Sequence, residues 1–291
     1  MIVVQLLGGL GNQLFQYAIG RRLAYELSVP LKLDVSAFTN DCLRQYQLGQ
    51  FNVLEDFATA KDIWYFSGIG LSARILNALE RRVGVSFRRL RVIRENNNLM
   101  DISTIGSSLY LEGYWQHESY FKSAESLIRQ DFTFKFPQDE TNQKMQNLIQ
   151  GVNAVSVHIR RGDYVSNPVA QSVHGVLSLD YYHKAIKEIE SQVNDPHFFI
   201  FSDDPQWVRE HLQIAHPTTY VDHNNGRADH EDLRLLSLCQ HHIIANSTFS
   251  WWGAWLSDHP QKLVYAPAKW FNQASLQNIN ILPSSWHRIP A

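Results

Sequence analysis

The 291-residue chain has little cysteine: Cys42 and Cys239 are its only two, far apart and in no CxxC or zinc spacing. That excludes a disulfide framework and makes a reducing compartment the expected home. It has no apolar run near the ~18 to 20 residues that a bilayer span requires, and Met1-Ile2-Val3-Val4-Gln5 opens without the basic stretch of a secretory signal. The expectation is a soluble, cytoplasmic protein, with the inner membrane face as a candidate docking place. Nor is there an excess of one charge. With 26 Lys and Arg against 28 Asp and Glu, the formal net charge is -2, which argues against a nucleic-acid partner gripped through a basic surface. Thirteen histidines contain no HExxH, and neither a GxSxG elbow nor a Walker P-loop occurs, so zinc-hydrolase, serine-hydrolase and P-loop kinase chemistry lose support.

What is present reads as an α/β enzyme. Apolar residues make up 44% and charged residues 19%, ordinary for a globular chain, and the length suggests about two domains. Near the start, an apolar run over 2–7 stops at Gly8-Gly9-Leu10-Gly11, and Leu14, Tyr17, Ala18, Arg21 and Ala24 continue at helical spacing. Strand, glycine-rich turn and helix follow in that order, with backbone amides at the helix start able to meet an anion or a sugar. A second strand ends at Asp34, where a dinucleotide fold places its ribose-binding acid. Leu14 stands where the third small residue of that fingerprint belongs, which weakens the match. A further strand at 109–112 leads into Gly113-Tyr114-Trp115-Gln116-His117, a polar and aromatic turn suited to sugar contacts or to plain packing. Helical patterns at 118–129 and 140–149 precede Gly151, where the domain boundary is expected, giving 1–150 and 151–291.

The second half repeats strand and helix over short connections, the pattern of a parallel sheet covered on both faces. Val155, Val157 and Ile159 alternate and run into Arg160-Arg161-Gly162-Asp163. Later strands end at Ser202-Asp203-Asp204-Pro205, at Asp222-His223, and at Asn246-Ser247-Thr248-Phe249-Ser250. In a parallel sheet these ends share one edge, so four polar strand ends describe one site. Arginine forks suit a phosphate, and hydroxyls at a helix start suit the same group. Asp203-Asp204 also has the look of a metal-holding pair, but Asp before Pro is the ordinary cap and first position of a helix, and capping is preferred. The arginines at 74–94 form a basic amphipathic stretch, read as a solvated helix face ahead of a peripheral membrane contact.

Taken together, Gly8-Gly9-Leu10-Gly11-Asn12-Gln13, His158-Ile159-Arg160-Arg161-Gly162-Asp163, Phe201-Ser202-Asp203-Asp204 and Ala245-Asn246-Ser247-Thr248-Phe249-Ser250-Trp251-Trp252 resemble the bacterial α-1,2-fucosyltransferases of glycosyltransferase family 11, over nearly the whole chain. The resemblance implies a GT-B-like fold, with two Rossmann-like domains facing a central cleft. It implies inverting transfer of L-fucose from GDP-fucose, the donor, to the 2-hydroxyl of a galactose in an oligosaccharide or lipid-linked glycan, with no metal or other cofactor. The N-terminal domain would serve the acceptor and the C-terminal domain the donor. Arg160 and Arg161 would hold the diphosphate, and Asp163 and Asn12 would be the candidate base and hydrogen-bonding positioner. His158, Asp203, Asp204, Ser247, Thr248, Phe249, Ser250, Gly9 and Gly11 would line the donor, and Tyr114, Trp115 and His174 the acceptor. Two other readings stay open: a nicotinamide-dependent oxidoreductase using Gly9, Gly11 and Asp34, and a non-catalytic sugar-binding module using Tyr114, Trp115 and Trp251-Trp252.

Overall fold

The computed structural model describes residues 1–39, 41, 44–67, 91–95, 106–224, 228–276 and 280–290, so most of the basic stretch at 74–94 lies outside the described residues. The chain divides into two compact units, residues 1–135 and 136–291. The division therefore falls ahead of the position expected at Gly151. The helix at Glu140–Gln150 belongs with the second unit because its Ile149 is buried in that unit's core.

In the first unit, β1 (Ile2–Gln5) leads into α1 (Leu10–Glu26), followed by β2 (Leu31–Asp34), α2 (Ala60–Ser67), β3 (Arg91–Arg94), β4 (Leu109–Glu112) and α3 (Glu125–Asp131). The four strands are all parallel in the order β2-β1-β4-β3. The chain goes from β1 to one side and returns on the other, so the sheet reverses between β1 and β4. Gln16, buried on α1, ties the two strand ends together: its Oε1 accepts from Leu7 N–H at 3.0 Å and its Nε2 donates to Gly113 O at 3.1 Å. Those are backbone groups that the ended strands would otherwise leave unpaired.

The second unit contains α4 (Glu140–Gln150), β5 (Asn153–Ile159), α5 (Gly162–Ser166), α6 (Pro168–His174), α7 (Leu179–Glu190), β6 (Pro196–Ser202), α8 (Pro205–His211), β7 (Thr218–Val221), α9 (Asp229–Leu238), β8 (His241–Ile243), α10 (Thr248–Leu256), β9 (Val264–Pro267) and β10 (His287–Ile289). The central strands are apolar on both faces because helices cover both. Val155, Val157 and Ile159 join Phe198 and Ile200 against Tyr181, Tyr182, Ile186 and Ile189 of α7. Ala154, Phe199 and Phe201 face the other way, onto Leu235 and Leu236 of α9. Each fully buried side chain of this kind contributes about 1.5–3 kcal/mol, so the alternation in sequence fixes which face each strand residue takes.

All six strands are parallel, in the order β10-β9-β8-β5-β6-β7. Counted from β5, this is the order of a dinucleotide-binding doubly wound sheet, whose ligand crevice opens where the winding reverses, between its first and fourth strands. Here those are β5 and β8. Their register pairs Val157 with Ile243; carried three residues on, it sets Arg160 level with Asn246. No helix among the described residues is long and apolar enough to cross a membrane.

Candidate active site

At the end of β5 the two guanidiniums are held by three carboxylates. Arg160 donates from Nε and Nη2 to Asp163 Oδ1, at 3.1 and 2.7 Å, and its Nη1 lies 3.0 Å from Asp203 Oδ2. Arg161 donates its backbone N–H to Asp203 Oδ1 at 2.8 Å and its Nε to Asp204 Oδ2 at 3.2 Å, while its guanidinium stacks 3.5 Å over the Trp207 ring. The β5–β6 pairing of Ile159 with Ser202 explains why: one residue further along, arginine and aspartate stand opposite each other on neighbouring strands. Burial alone would lower the Arg160 pKa, but Asp203, then Asp163, more than offset it, and the net effect is a raised value. Gly162 makes room for this arrangement, since a Cβ there would lie 2.6 Å from Asp203 Oδ2.

Beneath the arginines, His158 is 6% exposed and its ring packs 5.6 Å from that of Phe249. Burial, helped by the charge of Arg160, pushes its pKa down to about 3, so the imidazole is neutral, and its buried Nδ1 has no hydrogen-bond partner. Asn246, 2% exposed, closes the crevice from the β8 side. Its Nδ2 donates to the carbonyls of His174, Trp270 and Gly175 at 2.8, 3.2 and 3.4 Å, and its own carbonyl accepts from Tyr164 Oη at 3.1 Å. One side chain thus ties the segments that follow β5, β8 and β9. Ser247 is the N-cap residue of α10, yet its side chain makes no cap hydrogen bond, and neither does that of Arg161 at the start of α5. Other helices of this unit are capped by a side chain, α4 by Asp139, α6 by Asn167, α7 by Ser178 and, at this same edge, α8 by Asp204.

The first unit has its own polar edge at the β1/β4 reversal. Gly8 turns at φ 78°, and a Cβ there would meet Asn12 Nδ2 at 2.7 Å, so only glycine lets the amide lie against the turn. Asn12 Oδ1 accepts from Gln116 Nε2 at 2.9 Å. Trp115 occupies the left-handed region at φ 58°, which is uncommon for a bulky residue. This twist buries the indole to 1% exposure against Tyr120 and leaves Tyr114 45% exposed.

The structure therefore brings His158, Arg160, Arg161, Asp163, Asp203, Asp204, His174 and the start of α10 to one sheet edge, and Asn12, Gly9 and Tyr114 to the other unit's edge. Several expectations need correction. Ser250 is fully buried and its hydroxyl donates to Ala245 O and Ser247 O, so it is not offered to a phosphate. Gly11 is buried within α1. Trp115 is packed away from any sugar. Asp203 and Asp204 are both engaged by the arginines, and Asp204 also caps α8 by accepting from Trp207 N–H. Asp34 is buried and accepts from Tyr110 Oη at 2.6 Å and Ser36 N–H at 2.9 Å, which removes the ribose acid that the nicotinamide reading requires. Trp251 and Trp252 are fully buried, so the sugar-binding-module reading loses its aromatic run. Among the described residues, no group of three or more His, Cys, Asp or Glu could hold a metal ion.

Asn246, Trp207, Tyr164 and Gln116 also belong to these edges. Asn246 stands inside a motif whose hydroxyl residues carry the more obvious chemistry, and Trp207 joins the site only because Arg161 reaches across to the β6 end.

Residues 81–289 match Glycosyl transferase family 11. The chain is 34% identical over 292 residues to the alpha-1,2-colitosyltransferase of Escherichia coli, covering 99% of both chains. It is 28% identical over 162 residues to the galactoside 2-alpha-L-fucosyltransferase SEC1 of Bos taurus, covering 52% of this chain and 43% of that one. Among solved structures it resembles the fucosyltransferase NodZ from Bradyrhizobium, at TM-score 0.52 and 13% identity over 88% of this chain and 92% of that chain. In a crystal of NodZ soaked with GDP-fucose the match has TM-score 0.50 and 14% identity, over 91% and 94%. The two parallel-sheet α/β units are thus those of a GT-B-like fold, and the chain belongs to glycosyltransferase family 11.

Proposed function

We propose that the protein transfers L-fucose from GDP-fucose to the 2-hydroxyl of a galactose residue, with inversion and without a metal. The observation that carries this reading is the position of Arg160 and Arg161 at the winding reversal of a nucleotide-type sheet, where the register sets Arg160 level with Asn246, two residues before the α10 start. A guanidinium has five N–H groups. Arg160 uses three on Asp163 and Asp203, which leaves two, and Arg161 uses one on Asp204, which leaves four. The carboxylates fix the forks, and the remaining N–H groups, with the amides of the α10 first turn, meet the diphosphate.

As the bond from the anomeric carbon to the phosphate oxygen breaks, negative charge grows on GDP and the sugar passes through an oxocarbenium-like state. Donors already fixed in place stabilise that charge without reorganising, an effect of about a hundredfold to a thousandfold for a single donor. Attack by the acceptor hydroxyl on the opposite face inverts the centre. In this assignment the second unit holds the donor, and the exposed Tyr114 of the first unit stacks on the acceptor.

The donor sugar has one competitor, colitose, which the E. coli relative's name specifies. Colitose is fucose without its 3-hydroxyl. A site that hydrogen-bonds this hydroxyl disfavours the deoxy sugar by about 10⁴-fold, whereas an apolar pocket discriminates only about a hundredfold. The test is to supply GDP-fucose and GDP-colitose in competition, with lactose as the galactoside, and to map the linkage formed. A fucosylated 2-hydroxyl is expected. Preferential use of GDP-colitose overturns the donor, a different linkage overturns the acceptor position, and an Arg160→Ala protein that folds and still turns over at the wild-type rate overturns the role of the arginines.

A further inference from the structure

Glycosyl transfer of this kind releases a proton from the acceptor hydroxyl, and Asp163 is poorly placed to take it because one of its oxygens accepts two N–H groups from Arg160. The imidazole of His174 is differently situated. It lies face to face with the Tyr164 ring, centroids 4.8 Å apart and planes 3° from parallel, and packs 5.7 Å from Phe271. Its backbone is anchored by the buried Asn246 amide, and the chain then turns away at Gly175, φ 69°. Yet the ring's Nδ1 is buried without a hydrogen-bond partner, an arrangement that costs about 1–3 kcal/mol and is uncommon in folded proteins.

We propose that His174 is the general base of the transfer reaction, an assignment that rests on the function proposed above. The acceptor O–H bond breaks and its proton passes to Nε2 of the imidazole, the buried Nδ1 being out of a substrate's reach. The oxygen's electron pair forms the new bond to the anomeric carbon while the bond from that carbon to the diphosphate breaks, and GDP leaves with that pair. The imidazolium returns its proton to solvent after the product departs. Burial lowers the His174 pKa, so the ring is neutral and ready to accept a proton. Of the charged groups that act on it, Asp163 favours the imidazolium and Arg160 opposes it.

The experiment compares wild-type protein with His174→Gln, using GDP-fucose and lactose, and measures kcat/KM against pH. For the wild type, kcat/KM rises with pH along an acid limb whose midpoint lies below the ordinary histidine value of about 6.5. In the variant the limb disappears and kcat falls by about 10²- to 10⁴-fold, while GDP raises the melting temperature as it does in the wild type. Sodium azide, a nucleophile that carries no proton, restores turnover by forming fucosyl azide, which a purely structural role for His174 does not predict. A variant within tenfold of wild type, or one that keeps the acid limb, overturns the assignment. So does a wild-type profile with no acid limb, which decides the matter even where the variant fails to fold. Wild-type protein that does not bind GDP-fucose removes the transfer reading together with the inference; wild type that transfers fucose beside an equally active variant removes the inference alone.

Discussion

Replacing Gly162 with alanine tests whether the arginine pair depends on a carboxylate held at close range. The added Cβ would lie 2.6 Å from Asp203 Oδ2, and ordinary contact begins at 3.4 Å, so the carboxylate must withdraw by about 0.8 Å. That same oxygen faces Arg160 Nη1 at 3.0 Å, and its neighbour accepts from Arg161 N–H at 2.8 Å. Both bonds are lost or lengthened. A hydrogen bond to a charged group contributes about 1.5–3 kcal/mol when buried. Arg160 and Asp203 are 26% and 24% exposed, and solvent screening brings the loss to about 1 kcal/mol. Alanine in place of glycine at a helix start returns roughly half of that, so the melting temperature should change by only a few degrees. Turnover should respond more strongly, because a displacement approaching 1 Å at a catalytic group can cost up to about a hundredfold. Steady-state transfer with GDP-fucose and lactose, beside a thermal melt, therefore separates the two effects: kcat falls tenfold to a hundredfold while folding is nearly unchanged. Asp203→Ala supplies the control. If the clash with Asp203 is the cause, adding Gly162→Ala to Asp203→Ala changes kcat by no more than about twofold. A single Gly162→Ala variant with wild-type kcat, or a further large loss in the double variant, refutes the reasoning.

Three other outcomes follow from the same structure. Gly253→Ala on α10 would drive a Cβ into Cδ2 of the fully buried Leu236, and overpacking of this kind should lower stability by about 1–3 kcal/mol in urea titration; an unchanged midpoint shows that α9 and α10 give way freely. Burial depresses the pKa of His158 to about 3 and of His241 to about 4, and holds that of His242 well below the ordinary value, so the unfolded chain binds protons more readily. Stability should be fully present above about pH 6.5 and decline as pH falls through the window toward 4, with His158 alone accounting for about 2 kcal/mol by pH 5; a flat stability profile across that window contradicts the burial of these rings. Finally, GDP at a hundred times its Kd should stabilise the protein by about 2.7 kcal/mol, NAD should have no effect, and transfer should survive EDTA. Stabilisation by NAD revives the nicotinamide reading, and strict metal dependence revives Asp203 and Asp204 as a metal pair.

The parts of the fold that could be read in the sequence are those where burial imposes a period. Val155, Val157 and Ile159 alternate because both faces of β5 are covered, and α7, β6, α8, β7, α9 and β8 lie within a few residues of where their periods place them, whereas the polar stretch after Asp163, which reads as a loop, forms α5 and α6. The convergence of strand ends followed from parallel topology alone. The partners of the charged residues were not legible. That Asp203 and Asp204 bind Arg160 and Arg161 depends on a one-residue register between β5 and β6, and nothing local in either segment encodes a register. Solvent exposure was equally hidden. Tyr114 and Trp115 are adjacent aromatics of similar chemistry, and only the left-handed backbone of Trp115 decides that one is buried and the other open. The domain division moved for a related reason: the period of α4 announces a helix but not which sheet it packs against.

The charge count at the arginine pair bears on how a diphosphate could be held there. Two guanidiniums stand against three carboxylates, so the cluster is not a reservoir of positive charge, and simple Coulomb attraction does not explain an anion's preference for it. Direction does. Each carboxylate takes N–H groups on one side of a planar fork and thereby fixes where the remaining N–H groups point. Stacking on Trp207 fixes the plane of Arg161 as well. The amides at the α10 start add dipoles that no side chain of Ser247 covers. A ligand whose charge increases during the reaction gains more from donors fixed in this way than from loose ones, because the donors need not turn as the charge develops. On this account the aspartates help catalysis without touching the substrate, by removing freedom from the two side chains that do.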